Sequence, residues 1–376
     1  RASQLGGQWR GRKSGKPLMV LCGCVAQEHG DSLLSRFRDL DLVVGPDCYR
    51  DLPALIEGSE RTSAVDFRED DYTGIEPVRK EFPRSYVTIM RGCDNFCSYC
   101  IVPYVRGRER SRKSEAILGE IAALSEKGYA EITLLGQNVN SYNDGETAFP
   151  ELLRRVAVTA SGSWIRFVTS HPKDICAETV TVMASEENIC HHLHLPFQSG
   201  SDAILKRMNR GYSSSEYLNR IAMLRDAVPD IVLSTDVIAG FPGESEEDFL
   251  KTVDLLETVR FDNAFLFKYS ERAGTAACSF ENPVPEAERL ARLNHLQDLQ
   301  RRITLEESGK LKGKILRILV TGAAKQPGQQ AGRTAGHRMV ILENTDYRSG
   351  SFVDVRITKA DGWTHFGEPC GNKDSE

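Results

Sequence analysis

The sequence predicts an α/β protein in three parts: an incomplete βαβ domain, a partial (β/α)6 TIM-like barrel and a small all-β barrel. Three observations predict it. Between Ser85 and Thr304, six strand-like apolar runs are each trailed by a helical pattern. Beyond Gly309 the pattern changes to short alternating runs separated by turn residues. Ahead of both stands a shorter strand–helix–strand–helix series, closed by the charged, proline-bearing stretch Arg68 to Pro83. With 376 residues there is room for more than one core. The expected domains are residues 1–75, 84–308 and 309–370.

In the first part, Leu18 to Leu21 reads as a buried strand, Ala26 to Phe37 as a helix and Leu42 to Val44 as a second strand, with Asp47 placed to cap a helix through Ile56. The barrel strands are expected at Tyr86 to Met90, Glu131 to Leu135, Ile165 to Thr169, His191 to Leu195, Ile231 to Ile238 and Asn263 to Tyr269. Ser114 is placed to cap the first barrel helix, whose apolar residues Ile117, Leu118, Ile121 and Leu124 keep helical spacing before Gly128. A long charged helix from Glu286 to about Gly309 leads into the last part. There the expected strands are Ile315 to Thr321, Gly332 to Thr334, Met339 to Leu342 and Phe352 to Thr358, the kind of small barrel that often binds RNA.

Composition narrows the class. Hydrophobic residues make up 40% and charged residues 27%, and no apolar run approaches a membrane span, so no membrane partner is expected. The 53 acids exceed the 48 bases, which argues against nucleic-acid binding over the whole surface. Basic patches remain: ten Lys or Arg against four Asp or Glu from Lys310 to Gly367, and the run Arg106, Arg108, Arg110, Arg112, Lys113. Phosphate contacts are expected from Arg106, Arg108 and Arg110, and from Arg333 and Arg338 in the last domain. The ten cysteines, with no secretory leader pattern, read as thiols of a reducing cytoplasm. The chain opens at Arg1 without a methionine, and a truncated copy is expected.

The chemistry concentrates after the first barrel strand. Cys93-Asp94-Asn95-Phe96-Cys97-Ser98-Tyr99-Cys100 sets three thiols at spacings of four and three on one short arc. Three cysteines can hold three corners of a 4Fe-4S cubane and leave the fourth iron open to a small molecule. Spacing alone equally admits a zinc site completed by a fourth ligand such as Cys24 or a histidine. The barrel position favours a catalytic loop, since barrel chemistry sits at the C-terminal ends of the strands.

Other strand ends carry ligand-type residues: Leu135-Gly136-Gln137-Asn138, Leu195-Pro196-Phe197-Gln198-Ser199-Gly200-Ser201, and Asp236 to Glu244, where Gly240 and Gly243 permit close backbone approach and Glu244 is placed to start a helix. Each of these also reads as plain turn or cap chemistry. His191, His192 and His194 alternate on a strand, so only His192 and His194 share a face and no metal cluster is expected. Cys22 and Cys24 flank Gly23; Cys48, Cys176, Cys190, Cys278 and Cys370 read as small buried hydrophobes.

Arg91 to Gly107, Leu134 to Ser141, Ser170-His171-Pro172, His194 to Ser201 and Phe267-Lys268-Tyr269-Ser270 closely resemble, in order and along nearly the whole chain, the radical S-adenosylmethionine methylthiotransferases that act on tRNA. The resemblance implies a radical SAM barrel, a C-terminal TRAM domain docking tRNA at the anticodon loop, and a cluster on Cys93, Cys97 and Cys100. It implies that S-adenosylmethionine chelates the open iron and is cleaved by an electron from the reduced cluster, delivered by a donor such as a flavodoxin-type protein. Tyr99, Gln137, Asn138, Gln198, Ser199, Ile238 and Gly240 would line the cofactor site, and Lys206 and Arg210 would meet its carboxylate. The implied reaction is methylthiolation at C2 of N6-isopentenyladenosine, with sulfur from a second, auxiliary 4Fe-4S cluster. Cys24 matches one ligand of that cluster, and the resemblance puts the other two upstream of Arg1. Two alternatives stand: the same chemistry on a ribosomal protein side chain, and a noncatalytic tRNA-binding remnant. Ile101-Val102-Pro103-Tyr104 and the basic last domain favour RNA over the first, and the intact cysteines oppose the second.

Overall fold

The structure is a computed structural model that describes residues 17–370 apart from 59, 69–71, 73 and 76. The beginning of the expected first domain, residues 1–16, lies outside the described residues. Two compact units form: one from the segments up to residue 77, 91–96 and 100–110, the other from 78–90, 97–99 and 111 onward.

The first unit is a three-stranded parallel sheet of β1 (Val20–Cys22), β2 (Leu42–Val44) and β3 (Thr62–Ala64), in that order. Leu42, Val43 and Val44 are fully buried, as the central strand of a sheet covered on both faces requires. The helix expected over Ala26 to Phe37 is two, α1 (Cys24–His29) and α2 (Asp31–Arg36), because Gly30 turns the chain at φ +45°. Asp47 caps nothing. A 3-10 turn at Tyr49–Asp51 leads into α3 (Leu52–Gly58) with no side-chain cap, and Asp47 accepts from Arg110 instead. A short helix, α4 (Val102–Arg106), also belongs here.

The second unit carries the six barrel strands. β4 (Arg84–Thr88), β5 (Glu131–Leu135) and β6 (Trp164–Phe167) pair in parallel, as do β7 (His192–His194), β8 (Val232–Ala239) and β9 (Asn263–Lys268). A parallel bridge between Ile165 and Ile189 links the two sets. Ile132, Leu134, Ile165, Phe167, Leu193 and Val237 are buried in one core with residues of the covering helices α5 (Ser114–Glu126), α6 (Phe149–Thr159), α7 (Ala177–Ser185), α9 (Ser214–Ala227) and α10 (Glu246–Val259). A short α8 (Asp202–Arg207) follows the β7 loop, and α11 (Glu286–Gly309) ends the series.

Two expected helix starts are corrected. Ser114 is the first helical residue rather than the cap: its N–H donates to Asp144 Oδ2 at 2.7 Å, so a carboxylate from another loop supplies the acceptor. Glu244 does not open α10. Ser245 caps that helix in a capping box with Asp248, while Glu244 is buried, accepts from the Gly240 N–H and pairs with Arg292 at 2.7 Å.

The small barrel is closed, in the order β10 (Ile315–Ala323), β11 (Gln329–Thr334), β12 (Met339–Glu343), β14 (Thr364–Pro369), β13 (Phe352–Asp361). The last strand in the chain, β14, has no counterpart among the expected ones, since glycine, proline and a buried histidine break its apolar alternation. His365 holds it by approaching Ser308 Oγ and Met339 O, both at 3.2 Å. Arg166 ties the two barrels together: it donates to Glu131 at 2.7 Å and to the carbonyls of Thr334 and Ala335 at 2.7 and 2.6 Å, wholly out of water. Cys48 and Cys190 are buried as expected, but Cys176 and Cys370 are half-buried. Cys278 is exposed, bonded through its thiol to the Arg272 carbonyl. No described helix is long and apolar enough to cross a membrane.

Candidate active site

In the first unit the base of the cysteine loop is closed by backbone. The Cys93 N–H reaches the Gly107 carbonyl at 3.3 Å, and a Cβ on Gly92, at φ +74°, would lie 2.0 Å from the Arg108 carbonyl. Only glycine fits there. Asp94 then takes a two-pronged ion pair from Arg108, at 2.8 and 3.1 Å, and the Glu109 N–H at 3.0 Å. Arg110 pairs with the buried Asp47 at 2.9 Å, and Arg106 Nε stands 3.0 Å from Cys24 Sγ, at the start of α1. The basic run is therefore largely committed within the fold. Arg108 is the exception in exposure, with 74% of its side chain open to solvent.

In the second unit Cys97 is buried. Its sulfur lies 3.3 Å from Arg210 Nη1, and the same guanidinium reaches Tyr99 Oη at 3.4 Å, Tyr212 Oη at 3.1 Å and the Pro196 carbonyl at 2.9 Å. Ser98 holds this stretch, donating through N–H to the Met208 carbonyl and through its hydroxyl to the Arg207 carbonyl. Tyr99 and Ile238 pack on a small core of Phe241, Met208 and Tyr269.

The remaining candidates divide by what their atoms already do. Asn138 is spent: it donates to Asp174 at 2.7 Å and accepts from the His171 N–H at 3.1 Å, locking two rim loops. Ser199 turns to Thr252 and the Ser201 N–H, a structural tie to α10. At Gly240, with φ +72°, a Cβ would stand 2.5 Å from the Arg289 side chain. Gln137 is half-buried, and Lys206 is exposed on α8. Gln198 differs. Its backbone bridges strand β8, donating to Asp236 and accepting from Ile238, at φ +67°, while its buried Oε1 has no partner.

Arg333 and Arg338 line a cavity of about 530 Å3 between the two barrels, together with His192, His194, Ser234 and Phe265. Arg338 is paired with Asp262, and burial pushes it down to about 10. Both arginines are half-buried. His191 turns away to Asp230, leaving His192 and His194 on one face as the alternation requires.

Sequence alone gave His171 no role and drew no attention to Tyr212. His171 is buried, its ring set edge-on to Tyr212 at 5.7 Å, and burial followed by the charges of Arg210 and Lys173 lowers it to about 2. A histidine on a strand-end loop beside a helix-breaking proline was the available signal.

Among the described residues no three His, Cys, Asp or Glu side chains converge as ligands of a single ion. A cubane asks something else, because each thiolate binds a different iron. The donor set fits that group: three cysteines on one arc, an arginine on one sulfur, and the buried, unpartnered Gln198 Oε1 and Tyr269 Oη in the same unit as that arginine.

Residues 87–256 match the radical SAM superfamily and residues 309–370 match the TRAM domain. A parallel barrel with a three-cysteine loop after its first strand, joined to a TRAM barrel, defines a radical SAM enzyme that modifies RNA. Among relatives, the tRNA-2-methylthio-N(6)-dimethylallyladenosine synthase of Chlorobium luteolum is 45% identical over 369 residues, 96% of this chain and 83% of its own length. The protein of that name from Bacteroides fragilis is 47% identical over 371 residues, 95% of this chain and 81% of its own. The solved radical SAM coproporphyrinogen III oxidase HemN of Escherichia coli aligns over 68% of each chain at 13% identity, with a TM-score of 0.47. The chain belongs to the radical SAM tRNA methylthiotransferase family.

Proposed function

We propose that the chain methylthiolates C2 of N6-isopentenyladenosine beside the anticodon of tRNA, using S-adenosylmethionine as radical source and as methyl donor. The observation that carries this is the three-cysteine loop that follows the first barrel strand in sequence, in a chain matching tRNA-modifying relatives over about 95% of its length. When bound, the cluster and S-adenosylmethionine supply the radical and the methyl group.

The chain's own part is holding and placing. Cys93, Cys97 and Cys100 would ligate the cluster, with Arg210 setting a fixed positive charge on the Cys97 sulfur. Gln198 offers its free acceptor to the cofactor's amino or hydroxyl groups, and Tyr99, Ile238 and Gly240 provide the wall on which its adenosine rests. Arg210, already buried, is favoured over the exposed Lys206 for the carboxylate. Cys24, with Arg106 beside it, is the one ligand of the auxiliary cluster that this sequence assigns. Arg108 is best placed of the five arginines for phosphate, since an exposed ion pair exchanges partners at little cost. A flavodoxin-type donor and a cytoplasmic setting complete the reading.

The test is anaerobic reconstitution followed by incubation with S-adenosylmethionine, reductant and tRNA from a strain lacking the modification. With the base labelled by deuterium at C2, transfer of that deuterium into 5′-deoxyadenosine is expected, a readout that does not depend on the auxiliary cluster. Formation of 5′-deoxyadenosine carrying no deuterium from the base would refute the substrate.

A further inference from the structure

We propose that His171 is the hydrogen-bond donor that reads a ring nitrogen flanking C2 of the target adenine, and so fixes the carbon that reacts. This rests on the function proposed above and adds a residue that binds the base. The argument begins from the ring's two nitrogens. The Lys173 backbone N–H donates to His171 Nδ1 at 3.3 Å, so Nδ1 is an acceptor and the neutral ring carries its hydrogen on Nε2. Nε2 is buried and has no partner. A buried donor left unsatisfied is costly, so a rim that holds one in place is built for something that arrives.

The ring is held firmly. Asn138 fixes the His171 backbone, Pro172 follows immediately, and Tyr212 stands edge-on to the imidazole. Tyr212 also accepts from Arg210, which reaches the Cys97 sulfur, so the donor belongs to the same wall of the barrel as the cluster loop's middle cysteine. Ser170 Oγ, the neighbouring hydroxyl, is likewise buried without a partner.

The acceptor is inferred from chemistry. Burial, reinforced by the charges of Arg210 and Lys173, keeps the imidazole uncharged, and an uncharged donor suits an uncharged acceptor. In adenine, C2 lies between N1 and N3, whose lone pairs point in the ring plane on either side of the C–H. One hydrogen bond to either nitrogen orients that C–H and leaves the N6 substituent free. The carboxylate of S-adenosylmethionine would instead meet the guanidinium of Arg210.

The test is binding of an anticodon stem-loop carrying N6-isopentenyladenosine, compared with the same RNA bearing the 1-deaza or the 3-deaza base. Wild-type protein is expected to lose about tenfold in affinity for one of the two deaza loops, the equivalent of one neutral hydrogen bond at 1.4 kcal/mol per tenfold. His171→Phe is expected to bind all three loops alike while its affinity for S-adenosylmethionine changes less than twofold. His171→Gln, which keeps an N–H near the same place, is expected to recover part of the discrimination, and it serves as the comparison if the phenylalanine protein does not fold. Equal affinity of the wild type for all three loops, or an undiminished deaza penalty in either variant, overturns the proposal, as does a loss confined to S-adenosylmethionine binding. A wild type with no preference for isopentenyladenosine over adenosine overturns the proposed function as well.

Discussion

Arg210 Nη1 lies 3.3 Å from Cys97 Sγ in the interior of the second unit, and the other donors of that guanidinium are held by two tyrosines and a carbonyl. A hydrogen bond and a positive charge at a cluster sulfur favour the more reduced cluster. Replacing Arg210 by methionine should therefore move the midpoint potential to more negative values, by about 60 mV if the interaction is worth a factor of ten in a one-electron couple. A redox titration followed by electron paramagnetic resonance measures it, and an unmoved potential would show that the contact is only structural.

The pair Glu131–Arg166 is 2–3% exposed and carries the joint between the two barrels. Glu131→Leu strands a buried guanidinium and should destabilise the chain by about 3–5 kcal/mol. The double change Glu131→Leu with Arg166→Met should cost less than Glu131→Leu alone, because no buried charge is then left unpaired. Urea unfolding of the single and double variants decides it; additive losses would contradict the argument.

Asp144 receives the N–H groups of Ser114, Glu146 and Thr147. Burial works against its charge, but those hydrogen bonds outweigh it and hold its carboxyl well below the usual 3.8. A depressed carboxylate contributes stability above its unfolded value, and the contribution is lost as pH falls toward the folded one. Asp144→Ala should cost about 1–2 kcal/mol at pH 7, as loss of a helix cap does. The gap to the wild type should close as the pH is lowered from about 5 toward 2. Unfolding midpoints across that range provide the check, and a gap that widens toward acid would be decisive against it.

Two glycines outside the left-handed region should respond in opposite senses. Gly119 lies inside α5 with nothing within 4 Å of the place a Cβ would take, so Gly119→Ala should stabilise by about 0.5–1 kcal/mol. At Gly200 a Cβ would stand 2.2 Å from the Lys251 carbonyl of α10, and Gly200→Ala should destabilise by about 1–3 kcal/mol, because that backbone cannot move aside freely. Melting temperatures of the two variants test this, and a stabilised Gly200→Ala protein would falsify the packing argument.

Strand existence was legible because every barrel strand is apolar on the face that meets a helix, and the 2.0 and 3.6 periods survive in the sequence. Boundaries were less so. Ser114 and Asp47 looked like caps because their residue types suit the role, yet a cap is decided by which acceptor the fold delivers, and Asp144 arrives from thirty residues away. Strand β14 was invisible because its partners, not its own alternation, bury it. Of the candidate ligands, spacing picked out Cys93, Cys97 and Cys100 while leaving cluster and zinc open, and only the fold shows that Gln198 keeps a buried acceptor without a partner. Asn138 and Ser199 make hydrogen bonds to neighbouring rim residues that no spacing announces.

The sequence by itself determined the order of elements, the three-cysteine arc and the family, because these are local patterns of period, spacing and residue type. The tertiary structure alone decided which polar atoms are already satisfied. Arg106 and Arg110 became partners of Cys24 and Asp47, Arg210 became a buried hub on Cys97, and His171 was left with a donor and nothing to receive it. Hydrogen bonds and ion pairs between residues far apart in the chain have no signature in spacing, since they exist only once folding brings the two groups within reach.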